Sequence, residues 1–122
     1  MPLIIAKHVC PYEEVDYYEI EGEGYIVWRR GTGDNVEMLH LKAERTLEGI
    51  GSRLIKAMLV RLRLDRPPYE TVYGFCRTNN FQAIGFYERL GFDISVVKGV
   101  YRDGDAVVFS AKYKDLCERM LK

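Results

Sequence analysis

The chain has 122 residues, the length of one domain built on one core. At 48% hydrophobic and 30% charged it cannot be a disordered or low-complexity chain. Eighteen basic side chains balance eighteen acidic ones, so the chain as a whole has no electrostatic reason to hold a nucleic acid or an anionic membrane.

The apolar run Leu3 to Ala6 follows no basic residue and ends at Lys7. It is far shorter than the roughly 20 residues that cross a bilayer, which predicts a cytoplasmic protein. Cys10, Cys76 and Cys117 are odd in number and lack C-x-x-C spacing, and His8 and His40 are not at metal-ligand spacing. Neither a disulfide framework nor a metal is expected.

In chain order, Leu3 to Val9 has strand character and Cys10 to Asp16 is a short polar connection. Tyr17 to Glu21, Tyr25 to Arg30 and Val36 to Ala43 then read as three antiparallel strands, with turns at Gly22-Glu23-Gly24 and Gly31 to Asp34. After Glu48 the apolar period changes from two to about 3.6. Ile50, Leu54, Ile55, Met58, Leu59 and Leu62 fall on one face of a helix that Pro67-Pro68 must end. Thr71 to Cys76 is β-branched and aromatic, a strand after a helix and so parallel to the strand before it. Asn79 and Asn80 are N-cap residues for a second helix with Ala83, Phe86, Tyr87 and Leu90 at i, i+3, i+4, i+7, closed by Gly91. Phe92 to Tyr101 and Ala106 to Tyr113 flank an Asp-Gly hairpin turn at Arg102 to Asp105, and Lys114 to Lys122 reads as a last short helix.

Two stretches carry chemistry. Gly49-Ile50-Gly51-Ser52 opens the first helix, after a strand and a short connection. A helix N-terminus offers unpaired N–H groups and a positive dipole end, and glycines let a phosphate reach the backbone. Taken alone, the same glycines could serve a purely structural turn. The second stretch is Asn80 to Phe92, in which Asn80 and Tyr87 stand about two turns apart on one face, with small Ala83 between them. Taken alone, these are an N-cap and a core tyrosine.

Together the stretches resemble the GCN5-related N-acetyltransferase (GNAT) family. Its cofactor motif is R/Q-x-x-G-x-G/A followed by a helix, and its second motif, close to N-x-x-A-x-x-F/Y-Y-x-x-x-G-F, is reproduced at Asn80, Ala83, Phe86, Tyr87, Gly91 and Phe92. The order of elements from Val36 to Tyr113 is also the family's. Thr46 stands where the first motif has arginine or glutamine, and the region that holds two helices in the family is compressed into Cys10 to Asp16.

The resemblance implies an α/β (α+β) fold over residues 1–122: a mixed, mostly antiparallel central sheet with one splayed parallel strand pair and flanking helices. It implies an N-acetyltransferase that passes the acetyl group of acetyl-CoA, its acyl-donor co-substrate, to an amine acceptor by direct attack in a ternary complex. By position, Leu41 and Ala43 would meet the pantetheine amides. The N–H groups of Leu47, Glu48, Gly49, Ile50, Gly51 and Ser52 would hold the pyrophosphate, and Asn80 would bond the pantetheine region or cap its helix. Tyr87 would protonate the leaving thiolate, the Leu41 N–H would meet the oxyanion, and Glu37 would be the general base. His40 is the other candidate base, but on a regular strand it faces away from Glu37; a bulge would reverse that. The acceptor, a small molecule or a protein, is left open, and the compressed segment suggests either an open site for a bulky acceptor or a homodimer whose second subunit completes the wall. A non-catalytic acyl-CoA-binding or regulatory module of the same fold is the alternative, and an interaction protein that dimerises through a sheet edge is a third reading; mere binding would not require the tyrosine.

Overall fold

The computed structural model describes residues 3–9, 14–20, 22–31, 33–43, 49–64, 69–101 and 104–121. They form a mixed α+β fold of seven strands and three helices: β1 (Leu3–Val9), β2 (Glu14–Ile20), β3 (Gly24–Arg30), β4 (Asn35–Ala43), α1 (Ile50–Leu62), β5 (Thr71–Arg77), α2 (Phe81–Arg89), β6 (Asp93–Tyr101), β7 (Gly104–Lys112) and α3 (Tyr113–Met120). The chain packs as two compact units, residues 1–69 and 70–122.

In the first unit β1 to β4 form an antiparallel meander. Val9 pairs with Glu14, so four residues separate paired positions where the family carries two helices, and β2 starts three residues before the expected Tyr17. Alternation on β2 to β4 sends Tyr18, Ile20, Ile26, Trp28, Val36 and Met38 to one face. Across it lies α1, whose Ile50, Leu54, Ile55, Met58, Leu59 and Leu62 are all buried, as their spacing predicts. Each such side chain contributes roughly 1.5–3 kcal/mol on burial. Tyr18 and Trp28 stack obliquely at 5.3 Å in this core.

The register of β3 against β4 slips once. Val27 pairs with His40 and Trp28 with Met38, leaving Leu39 as the extra residue of a bulge. On the far side of that slip Gly24 pairs with Ala43, and a β-carbon at Gly24 would run into the Lys42 carbonyl oxygen.

In the second unit β7 lies between β5 and β6, with both pairings antiparallel. The core is Val72, Tyr87, Phe92, Ala106, Val107, Phe109, Leu116 and Met120. Leu116 and Met120, four apart on α3, bury its apolar stripe. Gly104 and Asp105, expected in the hairpin turn, begin β7 instead; Arg102 and Asp103 lie outside the described residues. The physical cause is a second bulge. Between the pairs Val97 with Ala106 and Tyr101 with Gly104, β6 spends more residues than β7, and Asp105 Oδ1 accepts the Gly99 N–H at 3.2 Å there.

Substituting Gly24 tests the close approach of β3 to β4. Gly24→Ala is expected to cost about 1–3 kcal/mol, a fall of several degrees in Tm by circular dichroism. Gly104→Ala, which meets nothing within 4 Å, is expected to stay within about 0.5 kcal/mol of the parent.

Candidate active site

The first unit supplies a phosphate-competent helix start. Gly49 is the N-cap of α1 at φ 74° and ψ 13°, left-handed backbone that glycine adopts without strain, and a β-carbon there would meet nothing within 4 Å. No side chain caps the helix and no acid stands in its first turn. The first intrahelical bond runs from the Arg53 N–H to the Gly49 carbonyl at 3.0 Å. The N–H groups of Ile50, Gly51 and Ser52 precede it and have no intrahelical acceptor. Ile50 and Gly51 are buried and Ser52 is half-buried. Leu47 and Glu48, expected in the same cradle, lie outside the described residues, as does Thr46.

The bulge at Leu39 sorts the β4 residues. Leu41 and Ala43 pair with Ile26 and Gly24 and take the α1 side of the sheet. Glu37 pairs with Arg29 and His40 with Val27, so the side chains of Glu37 and His40 share the opposite face. The opposed orientation expected of a regular strand is thereby corrected, because one inserted residue reverses the alternation beyond it. That face carries Tyr17, Tyr25 and Arg29 half-buried, and Lys42 exposed.

Sequence reasoning missed Arg29. Its Nε and Nη2 donate to Glu37 Oε1 at 3.0 and 2.8 Å, with the Glu37 side chain 14% exposed and that of Arg29 34%. The charge-assisted pair fixes the carboxylate and occupies one of its oxygens. His40, two cross-strand pairs along and next on the same face, is exposed. The available signal was the hairpin itself: once the turn over Gly31 to Asp34 is set, residues 29 and 37 fall opposite each other.

In the second unit Asn80 is the N-cap of α2, its Oδ1 accepting the Ala83 N–H at 3.2 Å. The capping role is therefore realised, and the side-chain amide still has its N–H donors to offer. Of the apolar positions on this helix Tyr87 alone is buried; Ala83, Phe86 and Leu90 are half-buried. The Tyr87 ring stacks on Phe109 at 3.7 Å and 11°, with Phe92 and Phe86 edge-on at 5.5 and 5.3 Å. Such packing locks the ring, and with it the direction of the hydroxyl.

Burial pushes the Tyr87 phenol well above its ordinary value of 10, and Cys76 beside it adds to the rise. The proton stays on at any physiological pH. Burial likewise raises the Cys76 thiol, which keeps it protonated and a poor nucleophile. Cys76 and Cys117 are free, and no group of three or more potential metal ligands occurs among the described residues. Among those residues, no helix is long and apolar enough to cross a membrane.

These elements have known counterparts. The family model described as the acetyltransferase (GNAT) family matches residues 17–92, crossing from the first unit into the second. An N-alpha-acetyltransferase of Saccharolobus solfataricus is 28% identical over 109 residues, 88% of this chain and 62% of that protein, so the chain spans under two thirds of this relative's length. Among solved structures, Ard1 from Thermoplasma volcanium superposes with a TM-score of 0.64 at 26% identity, over 80% of this chain and 69% of its own. A GNAT family acetyltransferase from Elizabethkingia anophelis, solved with acetyl-CoA bound, gives 0.68 at 12% identity over 90% and 97% of the two chains. With the family model matched over more than half its length, the chain belongs to the GNAT acetyltransferase family.

Proposed function

We propose that the chain is an acetyl-CoA-dependent N-acetyltransferase, that residues 1–122 work as one such domain, and that its acceptor is the α-amine of a polypeptide. The observation that carries the reading is the buried Tyr87, held by three aromatic rings with its phenol proton retained. A module that only bound acyl-CoA would have no use for it. The Saccharolobus N-alpha-acetyltransferase supports the choice of acceptor. So does the arithmetic of deprotonation at pH 7, about 4.6 kcal/mol for a lysine-type amine of pKa 10.4 against about 1 kcal/mol for an α-amine near 7.7–8.0.

In this reading the N–H groups of Gly49 to Ser52, with those of Leu47 and Glu48, hold the pyrophosphate. The backbone of Leu41 and Ala43 meets the pantetheine amides, and Asn80 adds a donor from its side-chain nitrogen. The acceptor nitrogen attacks the thioester carbonyl, forming the C–N bond while the oxyanion takes the Leu41 N–H. The amine proton goes to the face that carries Glu37 and His40. Glu37, tied to Arg29, orders the approach, and His40, whose imidazole is free of that pair, takes the proton. The C–S bond then breaks toward Tyr87. Moving a proton from a phenol of ordinary pKa near 10 to a thiolate whose acid has pKa near 8.5 is uphill by about 2 kcal/mol, and burial increases the gap. Tyr87 therefore stabilises the thiolate first as a hydrogen-bond donor. A second copy walling the Glu37 face is the corollary of the short β1–β2 connection, and a cytoplasmic setting suits the free Cys76 and Cys117.

Acetyl-CoA at a hundred times its Kd is expected to stabilise the protein by about 2.7 kcal/mol. Gly51→Val, confirmed as folded, is expected to lose that melting shift, and an undiminished shift would free the glycines of any cofactor role. Tyr87→Phe keeps the stacked ring, so kcat is expected to fall roughly 10²-fold with KM for acetyl-CoA unchanged. Because burial keeps the proton on the phenol beyond pH 10, the loss should be uniform between about pH 6 and 9. Full activity in this variant would return Tyr87 to a packing role. His40→Gln is expected to slow the reaction most below about pH 8, where the amine is still protonated, and more than Glu37→Gln does. The opposite ranking would make Glu37 the base.

A further inference from the structure

The unit of residues 70–122 holds a depression of about 260 Å3 between the end of α2, the start of β6, the end of β7 and α3. Gly91 and Leu116 form part of its lining, and Asp93, Lys112, Asp115 and Arg119 stand around it, all four exposed. Among the described residues these two carboxylates and two cations make no ion pair with each other or with anything else.

That is not what their spacing alone would give. Asp115 and Arg119 are four apart on α3, with the acid nearer the N-terminus, an arrangement that pairs readily on a helix. Arg119 instead lies over Gly91, where a β-carbon would overlap the guanidinium. Gly91 closes α2 at φ 95°, its N–H on the Glu88 carbonyl at 3.0 Å and the next, from Phe92, on that of Tyr87 at 3.0 Å. The guanidinium thus rests at the negative end of a helix, which draws it away from Asp115. On the strands, Asp93 pairs with Ser110, and Lys112 is two residues further along β7. Such diagonal neighbours stand roughly 7–8 Å apart, within reach of a long side chain, so Lys112 and Asp93 can close on one small ligand from neighbouring strands.

We propose that this depression binds a small zwitterion of the α-amino acid type, its carboxylate taken by Arg119 and Lys112 and its ammonium group by Asp93 and Asp115. The two bases can take an anionic group and the two carboxylates a cationic one, so a ligand carrying both charges meets all four. The volume lies below the ~300–1,000 Å3 of drug-sized pockets and suits a molecule of a few heavy atoms.

Calorimetry or ligand-observed NMR with the full chain and glycine, L-alanine or L-serine tests this, with acetate and methylammonium as half-ligands. At least one amino acid is expected to bind near 1 mM, and each half-ligand at least about tenfold more weakly. Arg119→Met and Asp115→Asn, each verified by circular dichroism, are expected to weaken binding about tenfold or more, while the melting shift with acetyl-CoA stays unchanged. Two variants keep the test open if one fails to fold. No binding at tens of millimolar, half-ligands that bind as well as the zwitterion, or affinity retained in a folded variant would overturn the proposal; in the last case the amino acid occupies a different place, such as an acceptor site.

Discussion

Between Met38 and His40 strand β4 advances two residues while β3 advances one, from Trp28 to Val27. Because side chains on a strand alternate, this single insertion decides what every residue on either side of it can do. Before it, Val36 and Met38 enter the core and Glu37 faces outward. After it, Leu41 and Ala43 take the core side and His40 joins Glu37. Without the bulge the Glu37 face would lose its imidazole, and Leu41 would leave the side on which α1 packs.

Arg29 extends the same constraint. The guanidinium spans the pair opposite Glu37, and both of its bonds end on one carboxylate oxygen. A half-exposed cross-strand pair of this kind adds little to stability. Its effect is positional, since a carboxylate held through one oxygen in this way cannot rotate freely.

Much of this was legible beforehand, for physical reasons that differ from place to place. Helix α1 was readable because six large apolar residues at helical spacing have one solution, and all six are buried. Asn80 and Gly91 were readable because cap residues act locally, without help from the rest of the fold. The bulge was half-written: Met38 and Leu39 are adjacent apolar residues in an otherwise alternating strand, which marks the slip in phase, but adjacency alone does not say which strand absorbs the extra residue. The pairing of Arg29 with Glu37 needed the hairpin register, a long-range property. The β6 bulge needed the Asp105 side chain to reach Gly99, a contact that no local pattern announces. Tyr87 sits between these cases. Its motif was plain, whereas the aromatic cage depends on Phe109, twenty-two residues later.

The clamp of Asp105 on Gly99 also bears on how the chain keeps company with itself. Strand β6 pairs with β7 on one side in its unit, and Val96, Val97 and Val100 are exposed along it. A long, flat, apolar outer strand is a template on which other chains can add strands and aggregate. Here the extra residues twist the strand out of flat register, the Gly99 N–H is already engaged, and Lys98 places a charge amid the valines. The irregularity that displaced the hairpin turn thus interrupts the row of backbone groups a second strand would have to read, and valines that would otherwise invite stacking are left as single exposed side chains.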